Sequence, residues 1–152
     1  MIVPLLALPD STKVRVRAAL AGVTVRRAKP WERSAVERFI TTHFTEKWGD
    51  EAECAWARTP LSAFVAVRGE EIVGFAAYDC SHPGVFGPTG TREDERGRGT
   101  GAALFLRALE DMRARGYIYA IIGGVGPSDF YKKVCDARLL PKEWPSYVTN
   151  DT

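Results

Sequence analysis

The sequence predicts a mixed α/β fold in one domain of residues 1–152. Strand-like runs cluster in the middle of the chain, an amphipathic helix follows a glycine-rich loop, and other helical segments lie on both sides of this region. The predicted order is helix, strand, two helices, three strands, helix, strand, helix and strand, which differs from a repeating βαβ series. The length of 152 residues suits one domain.

Composition excludes several classes of protein. Hydrophobic residues make up 45% of the chain and charged residues 26%, as in typical globular proteins. A net charge of +2 is too small to imply a nucleic-acid partner, and none is expected, although the charge by itself does not exclude one. Cys54, Cys80 and Cys135 are too few and too widely spaced for a disulfide framework or a metal site. The apolar residues 1–8 lack a basic region and are too short to span a bilayer, so we expect a cytoplasmic protein with no membrane partner.

The N-terminal part predicts one extra element ahead of the first strand. Residues 1–22 form a helical element, in which Asp10 or Ser11 caps a helix that ends at Gly22. Residues 23–28 alternate between apolar and polar side chains, as a strand does.

Two helices are predicted between residues 30 and 60. Apolar residues recur at helical spacing after Pro30, which suits the first turn of a helix. Asp50 and Glu53 are spaced as a capping box is, which predicts that a second, short helix begins there.

Three strands follow. Residues 63–67 and 72–78 are joined by Gly69-Glu70, which predicts a hairpin. The third run, Val85–Thr91, contains Pro88 between two glycines. Because proline has no N–H to donate to a ladder, we expect a bulge at this point.

The last third of the chain predicts two helices and further strands. The first helix carries an apolar stripe that includes Leu109 and Met112, places Asp111 off that stripe, and ends at Gly116. An apolar strand, a helix that opens after Pro127 and terminal strands follow; the segments concerned are residues 117–122, 128–135, 138–141 and 147–148.

The most informative stretch is Arg96-Gly97-Arg98-Gly99-Thr100-Gly101-Ala102, between the third strand and the amphipathic helix. Alternate glycines let a ligand approach the backbone, and the unpaired N–H groups of a helix N-terminus favour an anion. Arginine adds a charged fork that suits phosphate. The stretch therefore predicts a pyrophosphate cradle, with a flexible charged connector as the alternative.

Two other phosphate-binding motifs fit this stretch poorly. A Walker A loop needs Gly-Lys-Ser/Thr, whereas the chain has Gly-Thr-Gly-Ala. A dinucleotide fingerprint needs a later third glycine and an acidic residue about twenty positions further on, where Ala120 and Ile121 stand. An NAD-binding or nucleotide-binding protein is therefore disfavoured.

The stretch resembles the coenzyme motif of the GNAT superfamily of N-acetyltransferases, Arg/Gln-x-x-Gly-x-Gly/Ala, at Arg96, Gly99 and Gly101. The order of elements from residue 23 onwards is also similar to that of the family. The resemblance implies a twisted, mostly antiparallel sheet with helices on both faces, in which the fourth and fifth strands splay apart to admit pantetheine. It further implies acetyl-CoA as co-substrate, held by two groups of residues: Thr89, Gly90 and Thr91, and residues 96–102.

The resemblance also implies a catalytic acid. Tyr131 matches the tyrosine of the family's last helix, and a phenol can donate a proton to a departing thiolate. An N–H near Thr89 would polarise the thioester carbonyl. The alternative for Tyr131 is an ordinary core tyrosine. No general base can be singled out; the candidates are an ordered water and the side chains of Asp79, His82, Asp129, Asp50, Glu51 and Glu53.

The acceptor side is less well defined by the sequence. In the family, the acceptor is selected by the first two helices and the C-terminal strands, here residues 44–56 and 144–147. Trp48 and Trp56, with nearby acidic residues, either form a pocket for a cation or pack in the core. Two departures from the family bear on this side: residues 136–138 replace Gly-Phe, and residues 123–126 lack an asparagine.

The predicted function is an acetyl-CoA-dependent N-acetyltransferase in which a primary amine attacks the thioester directly. The alternative is a non-catalytic acyl-CoA-binding or regulatory module on the same fold. The expected partners are acetyl-CoA and an amine acceptor, either a small molecule or a peptide, and a homodimer is possible because the family often dimerises.

Overall fold

A computed structural model describes residues 1–141 of the chain. It contains one six-stranded sheet in the order β1-β6-β5-β4-β3-β2. The strands are β1 (Ile2–Pro4), β2 (Thr24–Arg27), β3 (Ala63–Arg68), β4 (Glu71–Tyr78), β5 (Val85–Thr91) and β6 (Tyr119–Ile122). The helices are α1 (Thr12–Leu20), α2 (Arg33–His43), α3 (Glu46–Glu53), α4 (Thr100–Ala114) and α5 (Ser128–Cys135).

The sheet is mostly antiparallel, as predicted. Four of its five neighbouring pairs are antiparallel, and only β5 and β6 run parallel. The hairpin predicted between β3 and β4 is confirmed, with Gly69 at φ +60° in its turn. The mixed α/β fold class is therefore confirmed.

Helices cover both faces of the sheet and bury two separate cores. On one face, α1, α4 and α5 close over a large core that includes Phe64, Phe105 and Leu109. On the other face, α2 and α3 close over a smaller core that includes Ile40 and Phe75. Because the apolar stripe of α4 lies inside the larger core, this helix fixes where the loop that precedes it stands.

The N-terminal element is more than a helix. The predicted helix is present as α1, and Gly22 follows it in the left-handed region at φ +76°. The three residues of β1, however, pair antiparallel with β6, and Ile2 also bridges to Arg138. A three-residue run between apolar neighbours carries too little alternation to be recognised as a strand in the sequence.

One predicted helix start is wrong, and one residue off the apolar stripe of α4 is nevertheless buried. Asp50 does not begin a helix: α3 starts four residues earlier, where the hydroxyl of Thr45 accepts a hydrogen bond from the N–H of Trp48 at 3.2 Å. Asp111 is not on a solvated face: it is buried and pairs with Arg27 and Arg115. The start of α3 is set by a local cap, whereas the burial of Asp111 depends chiefly on residues distant in the chain.

The buried carboxyl of Asp111 stays ionised because of its partners. Burial alone would raise its pKa, but hydrogen bonds from Arg27 and Tyr78 hold the pKa below its usual value. This cluster ties α4 to the sheet.

Residues 138–141 form no strand beyond the bridge at Arg138, and the predicted strand at 147–148 lies outside the described residues. No helix within residues 1–141 is both long and apolar enough to cross a membrane.

Candidate coenzyme and acyl-transfer site

The two parallel strands separate after a short contact. Val85 pairs with Ile121 and Phe86 with Ile122, where β6 ends. Strand β5 continues for five more residues, of which the last three, residues 89–91, pair with β4 on its other side. The predicted splay of the family's fourth and fifth strands is thus present, as β5 and β6 in this numbering.

Backbone groups of a strand alternate between its two edges. The N–H of Arg92 donates to the carbonyl of Val73 in β4 at 3.0 Å, so the backbone of Gly90, two residues earlier, also points towards β4. The backbone groups of Thr89 and Thr91 therefore point the other way, into the gap beside β6. A ligand with amide groups can pair with this free edge.

The predicted bulge lies at the start of the free edge. The register between β4 and β5 shifts between Ala76 and Tyr78, opposite the segment that contains Pro88. Gly87 has φ +131°, a conformation that L side chains rarely adopt. The bulge changes the direction of the backbone of β5 at the point where β5 and β6 separate.

The loop that connects β5 to α4 presents backbone N–H groups without acceptors. The first N–H groups of a helix have no partner within it. Among the described residues, none accepts a hydrogen bond from the amides of residues 97–102. Gly97 and Gly99 have φ of +76° and +90°, which curl this segment into a turn that ends at the start of α4. The predicted anion cradle therefore has its donors in place.

Side chains of the loop add charge and one unpaired hydroxyl. Arg96 is exposed, and its Nε lies 3.4 Å from the carbonyl oxygen of Thr91 at the free edge. Arg98 is exposed and lies 3.6 Å from Glu95. The Oγ1 of Thr100 is buried with no partner among the described residues. A diphosphate would accept hydrogen bonds from the two exposed arginines and from the loop amides, so the residues present fit coenzyme A.

Gly101 is closely packed, so that even a Cβ would press on a neighbouring side chain. A Cβ placed on Gly101 would lie 3.3 Å from Oγ1 of Thr91 and 3.9 Å from Cζ of Phe130. The free edge, the first turn of α4 and α5 thus meet at this residue.

Gly90, which the resemblance places at the coenzyme, packs directly against an aromatic side chain. A Cβ on Gly90 would lie 2.4 Å from Cζ of Phe44, which caps the end of α2. Phe44 stacks on Trp48 with ring centroids 5.5 Å apart and meets Phe75 edge-on at 5.8 Å. The absence of a side chain at Gly90 allows this aromatic group to lie directly against β5.

A cavity of about 400 Å³ opens beside the aromatic group. Its walls come from the end of α2 and from the segment between β5 and the loop, and its lining residues are His43, Phe44, Arg92, Glu93, Asp94 and Arg96. The cavity therefore borders the free edge of β5 on the face that carries α2 and α3.

The two tryptophans predicted near the acceptor are partly buried. Trp48 and Trp56 both pack against the smaller core, and the indole N–H of Trp56 is buried without a partner in residues 1–141. The packing supports the core role for these side chains. Residues 144–147 lie outside the described part of the chain.

Tyr131 is placed in the larger core. Its ring is 6% exposed and packs edge-on against Phe105, which in turn packs against Phe86 of β5. Its hydroxyl has no hydrogen-bond partner in the described residues, and burial raises the pKa of the phenol. The side chain therefore keeps its proton at neutral pH. Only the ring of Phe105 lies between Tyr131 and Phe86, the residue of β5 after which the splay begins.

The candidate bases differ sharply in their surroundings. Asp79 is buried, and its two oxygens accept hydrogen bonds from the N–H of Gly84 and the hydroxyl of Tyr117. Asp129 pairs with Lys132 and is almost fully exposed. Glu53 pairs with Arg33, and both Asp50 and His82 are exposed.

Glu51 stands apart from these acids. It is half-buried on α3, which packs against β5, and burial raises the pKa of its carboxyl. Burial chiefly, and then the charge of Glu51, raise the pKa of the Cys80 thiol to about 12. Cys80 is therefore protonated and inert at neutral pH, and Glu51 lies close to the end of β4 that Cys80 follows.

A contact between the N-terminal element and the loop is present that the sequence does not predict. The guanidinium of Arg17 in α1 donates a hydrogen bond to the carbonyl of Gly97 at 2.8 Å. Eighty positions separate the two residues, and no local pattern signals the contact. Within residues 1–141, no group of three or more His, Cys, Asp or Glu side chains is placed to hold a metal ion.

Comparison with known families agrees with this geometry. The profile of the acetyltransferase (GNAT) family matches residues 26–135. The match covers most of the chain, which therefore belongs to the acetyltransferase (GNAT) family. No curated protein sequence matches the chain significantly.

Solved structures share the fold at low sequence identity. The chain is similar to a GCN5-related glucosamine N-acetyltransferase region of a fungal multi-domain β-N-acetylglucosaminidase, with TM-score 0.73, 18% identity and coverage of 88% of this chain and 19% of that one. It is similar to a GCN5-related N-acetyltransferase from Sphaerobacter thermophilus, with TM-score 0.59, 21% identity and coverage of 74% and 40%. The chain thus spans about a fifth and two fifths of the length of these proteins.

A third relative was solved with the coenzyme. A GNAT family acetyltransferase from Brucella melitensis in complex with acetyl-CoA has TM-score 0.54 and 18% identity, with coverage of 72% of this chain and 80% of that one. Family membership and this complex support acetyl transfer as the general chemistry of the fold.

Proposed function

We propose that this chain is an acetyl-CoA-dependent N-acetyltransferase that acts on a primary amine. The observation that carries the proposal is a row of two sets of backbone groups without backbone partners: those of Thr89 and Thr91 at the free edge of β5, and the amides of residues 97–102 in the loop. Such a row matches a ligand that has an amide-containing arm followed by a diphosphate.

The donor would lie along this row. The backbone of Thr89 and Thr91 would pair with the pantetheine arm, and residues 96–102 would hold the diphosphate. Gly90 would act indirectly, by admitting Phe44 against the strand. Acetyl-CoA supplies the acetyl group as a thioester.

The transfer needs three contributions from the chain. As the amine nitrogen attacks the carbonyl carbon, a C–N bond forms and the carbonyl oxygen gains negative charge, which an N–H at the bulge near Thr89 would stabilise. The C–S bond then breaks, and Tyr131 would give its proton to the departing thiolate. The amine loses a proton to a base.

We assign the base to Glu51. Its half-buried position raises its pKa towards the range in which a carboxylate accepts a proton effectively. Glu51 lies on the face that also carries Phe44 and the neighbouring cavity, where an acceptor would approach. The other acidic candidates are committed to structural pairs or fully solvated.

A non-catalytic acyl-CoA-binding module on the same fold is the second candidate. Such a module would need the free edge and the loop but not a protonated phenol or a partly desolvated carboxyl. The buried position of Tyr131 and the half-buried position of Glu51 favour the enzyme.

Calorimetric titration with acetyl-CoA tests the proposal, with NAD and ATP as controls. We expect saturable binding of acetyl-CoA alone, followed by release of free thiol when an amine is added. An amine panel should begin with amino sugars, because one structural relative is described as a glucosamine N-acetyltransferase region. Equal or tighter binding of NAD would overturn the coenzyme assignment, and binding without thiol release across the panel would favour the non-catalytic module.

A further inference from the structure

The N-terminal helix α1 lies outside the segment that matches the family, yet it touches the coenzyme loop. Arg17 on α1 donates a hydrogen bond to the carbonyl of Gly97 at 2.8 Å. A Cβ placed on Gly99 would lie 3.2 Å from Cδ of the same arginine. One exposed side chain of α1 therefore covers two residues of the loop.

A second link fastens the end of α1 to the same loop. Arg68, at the end of β3, holds the buried carboxylate of Glu95 with two hydrogen bonds of 3.0 and 2.6 Å. The guanidinium of Arg68 also donates to the carbonyl of Ala21, just after α1. The hydrogen bond from Arg68 is the main cause that lowers the pKa of Glu95, so this carboxylate stays ionised and keeps the link.

These contacts affect the orientation of the peptide groups in the loop and the charge beside them. The hydrogen bond from Arg17 orients the carbonyl of Gly97 towards α1. Because the C=O and N–H of a trans peptide point in opposite directions, the N–H of Arg98 points away from α1. The amides of residues 97–102, which include this N–H, have no acceptor among the described residues. The guanidinium also places a permanent positive charge at the start of the loop. Both effects favour a phosphate-bearing ligand.

We propose that α1 is part of the coenzyme site and that Arg17 is a positioning residue for the loop that connects β5 to α4. The inference rests on the proposed function, since it requires coenzyme A as the ligand. Arg17 gives the site its preference for the nucleotide-bearing thiol over the bare pantetheine arm.

Arg17→Ala tests this role, with Arg15→Ala as the matched control. Arg15 is an exposed arginine on the same helix, so the control removes the same charge from the same element. Each variant is titrated by calorimetry with coenzyme A and with pantetheine, which lacks all the phosphates, and its thermal unfolding is recorded. We expect Arg17→Ala to weaken binding of coenzyme A about tenfold and to leave binding of pantetheine unchanged. Arg15→Ala should match the wild type for both ligands.

Arg17→Lys separates charge from geometry. Lysine keeps the charge but lacks the planar fork, so we expect it to recover only part of the lost affinity. An Arg17→Ala variant that binds coenzyme A as tightly as the wild type overturns this inference but leaves the proposed function standing. Equal weakening for coenzyme A and pantetheine also overturns it, because Arg17 would then support the fold in general. A wild type that binds no coenzyme A overturns the proposed function and the inference with it.

Discussion

The two sides of the cleft beside β5 are built in different ways. The coenzyme side, where we propose that acetyl-CoA binds, uses consecutive residues, 96–102, and presents mainly backbone N–H groups at the start of α4. The side that carries α2 and α3 uses side chains from separate elements, such as Phe44, Trp48 and Phe75. A ligand common to a whole family can be held by backbone geometry, whereas a ligand particular to one member requires side chains that vary.

The difference predicts where substitutions have their largest effects. Backbone-dependent positions on the coenzyme side should tolerate no side chain, because the added atoms block donors that nothing else can replace. Positions on the acceptor side should respond more gradually, since each side chain supplies one of several contacts. The following variants test this contrast.

The largest effect is expected from Gly99→Val combined with Gly101→Val. Gly99 is at φ +90°, and a Cβ at Gly101 would press on Thr91, so valine would close the cradle. We expect affinity for acetyl-CoA to fall more than about a hundredfold, which corresponds to roughly 2.7 kcal/mol. Calorimetry measures the loss, and circular dichroism checks that the chain stays folded.

Gly69→Val is the control for backbone strain. Gly69 is also at positive φ but lies in the β3–β4 turn, with open space around its Cα. It should lose about 1–2 kcal/mol of stability and no affinity. Unchanged coenzyme binding in the Gly99 and Gly101 variant would show that the loop is only a connector.

Tyr131→Phe should give the next largest effect, on turnover. The substitution keeps the ring packed against Phe105 and removes only the phenol proton. We expect kcat to fall about a hundredfold with little change in acetyl-CoA affinity. Tyr119→Phe, at an exposed position of β6, serves as the control. A rate equal to that of the wild type would rule out Tyr131 as the acid.

Glu51→Gln should lower kcat about tenfold, because a water molecule can partly replace the base. Burial raises the pKa of Glu51, and only the ionised carboxylate accepts a proton. In the wild type, kcat should therefore fall as pH drops through this raised pKa, and the fall should be absent in the variant. Asp50→Asn, at an exposed position on the same helix, should keep the wild-type profile. An acid limb that persists in Glu51→Gln would assign the base elsewhere.

The smallest effect on activity is expected from Gly90→Ala, which acts through packing. The added methyl group would force the Phe44 ring away from β5 and cost about 1–3 kcal/mol of stability. Urea unfolding measures this cost, and Gly124→Ala, where the added methyl group meets open space, is the control. Phe44→Leu should recover part of the loss in a double variant. Additive effects of the two substitutions would mean that the residues do not interact.

Local chemistry explains how much of the fold was predictable. The β3–β4 hairpin follows from Gly69 between two apolar runs, and α4 follows from a stripe repeated over four turns before Gly116. The start of α3 was misplaced because Asp50 and Glu53 imitate a cap, while the hydroxyl of Thr45 makes the real one. A cap depends on one hydrogen bond, and several nearby residues can offer it.

In the candidate site, too, features made by adjacent residues could be predicted, and features made by distant residues could not. Residues 96–102 could be proposed as a diphosphate cradle from the sequence because such a cradle is made by consecutive backbone groups, and a few adjacent residues therefore indicate it. The burial of Asp111 was not recognisable, because its partners Arg27 and Tyr78 are far away in the chain. The same holds for the approach of Phe44 to Gly90.

The sequence by itself determined the class of fold, the position of the glycine-rich loop at the start of α4, and the break in β5 around Pro88. These features depend on backbone conformation and periodicity, which adjacent residues control. Only the tertiary structure decided that β1 joins the sheet beside β6, that Arg17 reaches the loop, and that Glu51 is half-buried near β5. Each of these depends on contacts between segments distant in the chain, and such contacts form because the two cores bury apolar surface together, a condition that no short stretch of sequence expresses.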